Sequence, residues 1–140
     1  MKNNSRSCTV KLTVPFHDVD PIQVVWHGNY LKYFEIARTG IFDQIGIDLY
    51  NFYLTSGFIF PISRTVLKYI YPLRYKDEFT CTAVVTECKR KIIIDYEIRL
   101  TSNNKLCTKG STEQVTVKYP ELEMELIIPE EIKKALEGPA

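Results

Sequence analysis

The sequence predicts an α+β fold in two layers, one long helix laid against an antiparallel sheet. Three patterns carry that prediction. Between Tyr30 and Ile45 the apolar residues recur with a helical period and share one narrow arc, the mark of a helix that buries a single stripe. Between Lys91 and Leu100 they alternate with polar residues instead, as in a strand with one buried face. Other strand-like segments precede and follow that one, so that successive members can pair antiparallel.

In chain order, Thr9 to Phe16 alternates, with Leu12, Val14 and Phe16 on one face, and reads as the first strand. Pro15 has no N–H for a ladder, which puts it near the strand end or on an edge. Asp18 to Pro21 is a turn. Asn29 is a candidate N-cap for the helix, whose buried stripe is Tyr30, Phe34, Ala37, Ile41 and Ile45. Lys32, Glu35, Thr39 and Asp43 fall on the opposite side, and Gly46 ends the run. Asp48 to Gly57 is an aromatic-rich connector with room for a helical turn. Phe58 to Tyr75 is strand-like but broken by Pro61 and Pro72, and Glu78 to Cys88 is a strand rich in Thr, Val and Cys. From Lys91 to Leu100, Ile92, Ile94, Tyr96, Ile98 and Leu100 face one way. Ser102 to Lys105 is a turn, and Leu106 to Tyr119 is a last strand with Val115, Val117 and Tyr119 in phase. Pro129 and the following EEIKKALEG read as a short helix with Pro in its first turn, early acids and a terminal Gly.

A chain of 140 residues is expected to form a single domain over 1–140. Its formal net charge of +1 offers no basic field, so nucleic acid is not an expected partner. Cys8, Cys81, Cys88 and Cys107 lack metal-ligand spacing and are joined by only two histidines; no metal and no cofactor is expected. No segment approaches the roughly 18 apolar residues of a membrane span. The opening MKNNSRSCTV has no apolar targeting stretch, and the expected location is cytoplasmic, with reduced thiols. A sheet covered by one helix leaves a face or an edge to protect, and many of the nine tyrosines and seven phenylalanines lie between Trp26 and Tyr75. A homo-oligomer is therefore expected.

The stretch that carries chemistry is FHDVDPIQVVWHGNYLKYFE, residues 16–35. Taken alone, an acidic pair after a strand is ordinary turn chemistry, and Glu35 lies on a solvated helical face. The whole spacing is more specific. D-x-D-P-x-x-V-V-W-H-x-N-Y, followed by a helix carrying Y-F-E, resembles the 4-hydroxybenzoyl-CoA thioesterase family of the hotdog fold, and the likeness in element order runs from about Thr9 to Tyr119. The resemblance implies a curved antiparallel sheet wrapped around Tyr30 to Ile45 as central helix. It also implies a homodimer with active sites between subunits, pairing further into a homotetramer. Asp20, directly before Pro21, matches the family's catalytic acid, and His27, seven positions later, matches its main-chain oxyanion donor. Glu35 is a secondary site candidate, since family members often carry an acid near this helical position. Lys89, Arg90 and Lys91 are candidates for the phosphates of CoA, with Arg64, Lys68 and Arg74 as weaker ones.

The chemistry is coherent on physical grounds. Thioester hydrolysis needs an attacking oxygen and a cradle for the charge on the former carbonyl oxygen. A helix start offers unpaired N–H groups and the positive end of a dipole, and the main chain of His27 and Gly28 lies there. Asp20 can act as nucleophile or as general base to a water. Asp18 reads as local structure. The leading expectation is an acyl-CoA thioesterase; the alternatives are a thioesterase for acyl carrier protein, in lipid or polyketide biosynthesis, and a non-catalytic acyl-thioester binding module. A hotdog dehydratase is disfavoured by the lack of a His-Phe-Pro-type motif. Phe16 stands where many relatives have tyrosine, and Ile22-Gln23 replaces a small pair, often Ala-Gly, which reshapes the mouth of the expected pocket.

Overall fold

The computed structural model describes residues 6–138. In chain order the strands are β1 (Ser7–Thr13), β2 (Phe58–Ile59), β3 (Ile62–Tyr69), β4 (Glu78–Glu87), β5 (Ile92–Leu100), β6 (Leu106–Gln114), β7 (Thr116–Lys118) and β8 (Glu123–Glu125). The helices are α1 (Tyr30–Gln44), α2 (Leu49–Ser56) and α3 (Glu130–Glu137). Five strands form one sheet in the order β1-β4-β5-β6-β3, antiparallel throughout, and β2-β7-β8 form a smaller one.

Strand alternation and helix period meet in the core. Phe79, Cys81, Ala83 and Val85 of β4, with Ile92, Ile94, Tyr96 and Ile98 of β5, are buried. In the same core lie Tyr30, Tyr33, Phe34, Ala37 and Ile41 of α1. Phe34 stacks on Tyr96 with ring centroids 4.2 Å apart and planes 4° from parallel. That approach requires Gly110 on β6, because a Cβ there would lie 2.3 Å from the Phe34 ring. Gly40 plays the same part against β1, where a Cβ would come within 2.4 Å of Cys8 Sγ. Small residues at these points let the helix settle onto the sheet.

The structure departs from the sequence expectations in several places. The first strand ends at Thr13; Phe16 opens a 3-10 turn, Phe16–Asp18, and is 67% exposed. β3 does not pair with its successor but crosses to β6 as an edge strand. The connection after β3 drives Leu73 into the core, where its N–H donates to the Tyr30 hydroxyl and its carbonyl accepts from Val25 N. The chain thus passes over the start of α1 instead of turning back on itself. The last strand divides at Val115, and around that break its buried side chains are Thr112, Gln114 and Thr116, while Tyr119 is exposed. Threonine is β-branched and fits a pleated inner face as valine does, so the valine phase pointed to the wrong side. The aromatic connector becomes α2, capped by Asp48, whose Oδ1 accepts from Tyr50 N at 2.9 Å.

Candidate active site

After the 3-10 turn the chain makes a closed loop back to the start of α1. Asp20 N donates to Val24 O at 2.8 Å, Gln23 N to Asp20 O at 2.9 Å and Trp26 N to Asp18 O at 2.9 Å. Val19 bridges Val25, and Val24 bridges Arg74 on the strand-to-strand connection behind it. The tight reversal puts Gln23 at φ 73°, a left-handed conformation that glycine adopts without strain. That is the second position of the small pair expected from the family pattern.

The two carboxylates of the loop have separate environments. Asp20 is half-buried, and among the described residues its Oδ1 accepts only the main-chain N–H of Ile22, at 3.0 Å. Asp18 is buried, with Lys32 Nζ donating to Oδ1 at 2.6 Å and the Tyr33 hydroxyl to Oδ2 at 2.6 Å. Burial pushes the Asp18 carboxyl up, but the hydrogen bonds from Lys32 and Tyr33 and the lysine charge outweigh it and hold it below the usual range. Burial and then the Asp18 carboxylate raise the Tyr33 phenol well above its ordinary value. Asp20 is the carboxylate with an oxygen still able to meet a ligand.

Asn29 stands directly before α1, where the N-cap reading placed it, but it makes no capping bond. A 3-10 turn, His27–Asn29, leads directly into α1, and Asn29 is already helical. Its side chain caps nothing; Nδ2 donates to Asp18 O at 2.8 Å. The first bond of the turn is Asn29 N to Trp26 O, 2.9 Å, and the N–H groups of His27 and Gly28 have no acceptor among the described residues. The Trp26 ring lies over Gly28 so closely that a Cβ would fall 2.1 Å from it. The His27 ring is exposed beside Trp26, and the His27 carbonyl accepts the Tyr69 hydroxyl at 2.9 Å. Around this mouth, Phe16 and Tyr75 pack edge to face at 5.5 Å. Phe16, Trp26, Tyr69, Tyr75 and Ile22 remain exposed.

Asp20, His27 and Gly28 thus share one loop. Glu35 lies outside it, exposed on an open groove beside Lys32, Ile36 and Asp43. Lys89, Arg90 and Lys91 form the turn between β4 and β5. Lys91 Nζ pairs with Glu113 at 3.0 Å, and Arg64 with the same carboxylate at 3.3 Å. The side chains of Lys89 and Arg90 have no ion-pair partner among the described residues. Lys68 faces Lys109 across β3 and β6, and Arg74 N donates to Asp77. Arg64 and Tyr69, five positions apart on β3, mark the basic and the loop ends of this strand, about 17 Å from each other. Within one chain the basic turn and the His27 loop are therefore separate. Lys32, read as a solvent residue, is the partner of a buried acid, and no local signal announced that pairing.

Comparison with known proteins bears on this geometry. The family model described as Thioesterase-like superfamily matches residues 14–136. A 1,4-dihydroxy-2-naphthoyl-CoA hydrolase of Thermosynechococcus vestitus is 34% identical over 70 residues, 50% of this chain; so matched, the chain spans about half of that relative, 48%. The 4-hydroxybenzoyl-CoA thioesterase of Pseudomonas sp. strain CBS-3 is 24% identical over 139 residues, 97% of this chain and 94% of that one. A 1,4-dihydroxy-2-naphthoyl-CoA thioesterase from Synechocystis superposes with a TM-score of 0.85 at 20% identity, over 93% of this chain and 95% of its own. The long helix against an antiparallel sheet is the hotdog architecture, and the chain belongs to the Thioesterase-like superfamily.

Proposed function

We propose that this protein hydrolyses acyl-CoA thioesters. The observation that carries the proposal is the loop itself. It joins a half-open carboxylate, Asp20, to two N–H groups without an acceptor among the described residues, those of His27 and Gly28, at the start of a 15-residue helix. In one route Asp20 takes a proton from water as the oxygen adds to the thioester carbon; the C–S bond breaks and CoA leaves as the thiol with that proton. In the other, a carboxylate oxygen of Asp20 displaces CoA and forms a mixed anhydride, which water cleaves. Both put negative charge on the former carbonyl oxygen, where the N–H groups act as donors. Membership in the superfamily and the CoA thioesters named for the relatives support the substrate class.

The same reading includes a homodimer, pairing further into a tetramer, in which a second copy closes the aromatic mouth and brings Lys89 and Arg90 to the CoA phosphates. The edge position of β3 and the exposure of Ile62, Val66 and Tyr69 on it support such a contact. Lys91 contributes less, because Glu113 neutralises it.

The test is thiol release from short, long and aromatic acyl-CoAs and matched acyl carrier proteins, with the protein's own cysteines subtracted, and light scattering for the assembly. Asp20→Asn is expected to lower turnover by about 10²–10⁴-fold. Unchanged turnover in the variant would remove Asp20 from its role. Absence of turnover on every acyl-CoA by the unaltered protein would overturn the hydrolase reading.

A further inference from the structure

We infer that Asp18 is the positioning residue of this site, holding loop 18–29 closed on α1 and so setting Asp20 against the N–H groups of His27 and Gly28. Its consequence for catalysis rests on the thioester-hydrolase reading; its geometry does not.

Four donors converge on this one residue. Trp26 N and Asn29 Nδ2 reach its carbonyl oxygen at 2.9 and 2.8 Å. Lys32 Nζ and the Tyr33 hydroxyl reach its carboxylate, each at 2.6 Å. The main-chain pair closes the loop at its far end, one residue before the His27 N–H. The side-chain pair anchors it to successive residues in the first turn of α1. Asp20 is two residues along from this clamp, on the segment that Asp20 N–Val24 O folds back. His17 also approaches, with Nε2 at 3.7 Å from Oδ1, but its side chain is 80% exposed, so it adds little.

The choice of a charged residue is informative. The Asp18 side chain is only 2% exposed, and an apolar side chain could fill that volume without desolvating a carboxylate. It would make no directional bonds, however, and direction is what fixes the angle at which a loop leaves a helix. Neither oxygen of Asp18 is left for substrate, because Lys32 holds one and Tyr33 the other. The residue acts through the loop.

Asp18→Asn keeps the shape and removes the charge. Tyr33→Phe removes one donor and keeps the charge, and it carries the test if the first variant does not fold. Trp26, the one tryptophan of the chain, lies inside the loop and reports its placement without any substrate. With far-UV circular dichroism unchanged, either variant is expected to raise acrylamide quenching of Trp26 about twofold. Either is also expected to lower kcat about 10–100-fold while KM stays within about threefold. Loosened Trp26 in the variants of a protein without turnover supports the clamp and defeats the hydrolase reading instead. A folded variant with lower thermal stability but unaltered quenching and kcat overturns the inference.

Discussion

The loop from Asp18 to Asn29 is tied at both ends and in the middle, whereas the basic turn from Cys88 to Lys91 has one short main-chain tie. In the loop, main-chain bonds of 2.8–2.9 Å and two bridges accompany the Asp18 clamp. In the turn, that tie is Ile128 N to Lys89 O at 2.8 Å, and the N–H groups of Arg90 and Lys91 are held by Glu87 at 3.4 Å. The contrast matches what the proposed reaction would ask of each. Groups that meet a reacting carbon must be placed to within a fraction of an ångström. Cations that meet a polyanion need charge and reach, and flexibility costs them little.

Of the two regions the loop is the more sensitive to substitution. Gly28→Ala drives a Cβ into the far edge of the Trp26 ring, so the half-exposed ring must swing away from the helix start. We expect kcat to fall about 10–100-fold with the fold intact. Full activity, measured beside Trp26 emission, would mean that the loop tolerates displacement. A smaller effect of another kind is expected at the turn. Replacing Lys89 and Arg90 together by Ala should raise KM for an acyl-CoA about tenfold and leave kcat unaltered, as loss of uniform binding does. Adding salt should erase much of the difference, and a fall in kcat instead would show that the turn places the reacting groups.

The smallest effect concerns Gln23. At φ 73° its side chain strains the backbone by roughly 1 kcal/mol relative to Gly, while Gly adds about 0.4–1 kcal/mol of unfolded-chain entropy. Gln23→Gly should therefore change stability by less than about 1 kcal/mol, and Gln23→Val, branched at the same φ, should lose more than that. Urea unfolding of both variants distinguishes a strained turn from one that its neighbours make comfortable.

Much of the fold is legible in the sequence where a rule is local. The helix expected over Tyr30 to Ile45 is Tyr30–Gln44, the strand expected over Lys91 to Leu100 is Ile92–Leu100, and the helix after Pro129 is Glu130–Glu137. Local rules misled where a distant partner intervened. Asn29 has the composition of an N-cap, but its amide is drawn to the Asp18 carbonyl. Lys32 lies on the polar arc, but its stem reaches back to a buried acid. The threonines of β6 and β7 line an inner face that valines were expected to occupy.

The periods, the order of the elements and the spacing from Asp20 to His27 are properties of neighbouring residues and can be read directly from the chain. Tertiary structure decided which of two acids, a valine apart, is sealed and which stays open. It decided that β3 crosses to β6, and that Glu113 takes Lys91 away from the basic turn. The reason is physical: period follows from backbone geometry within a few residues, while burial and charge pairing depend on segments far along the chain that only the fold brings together.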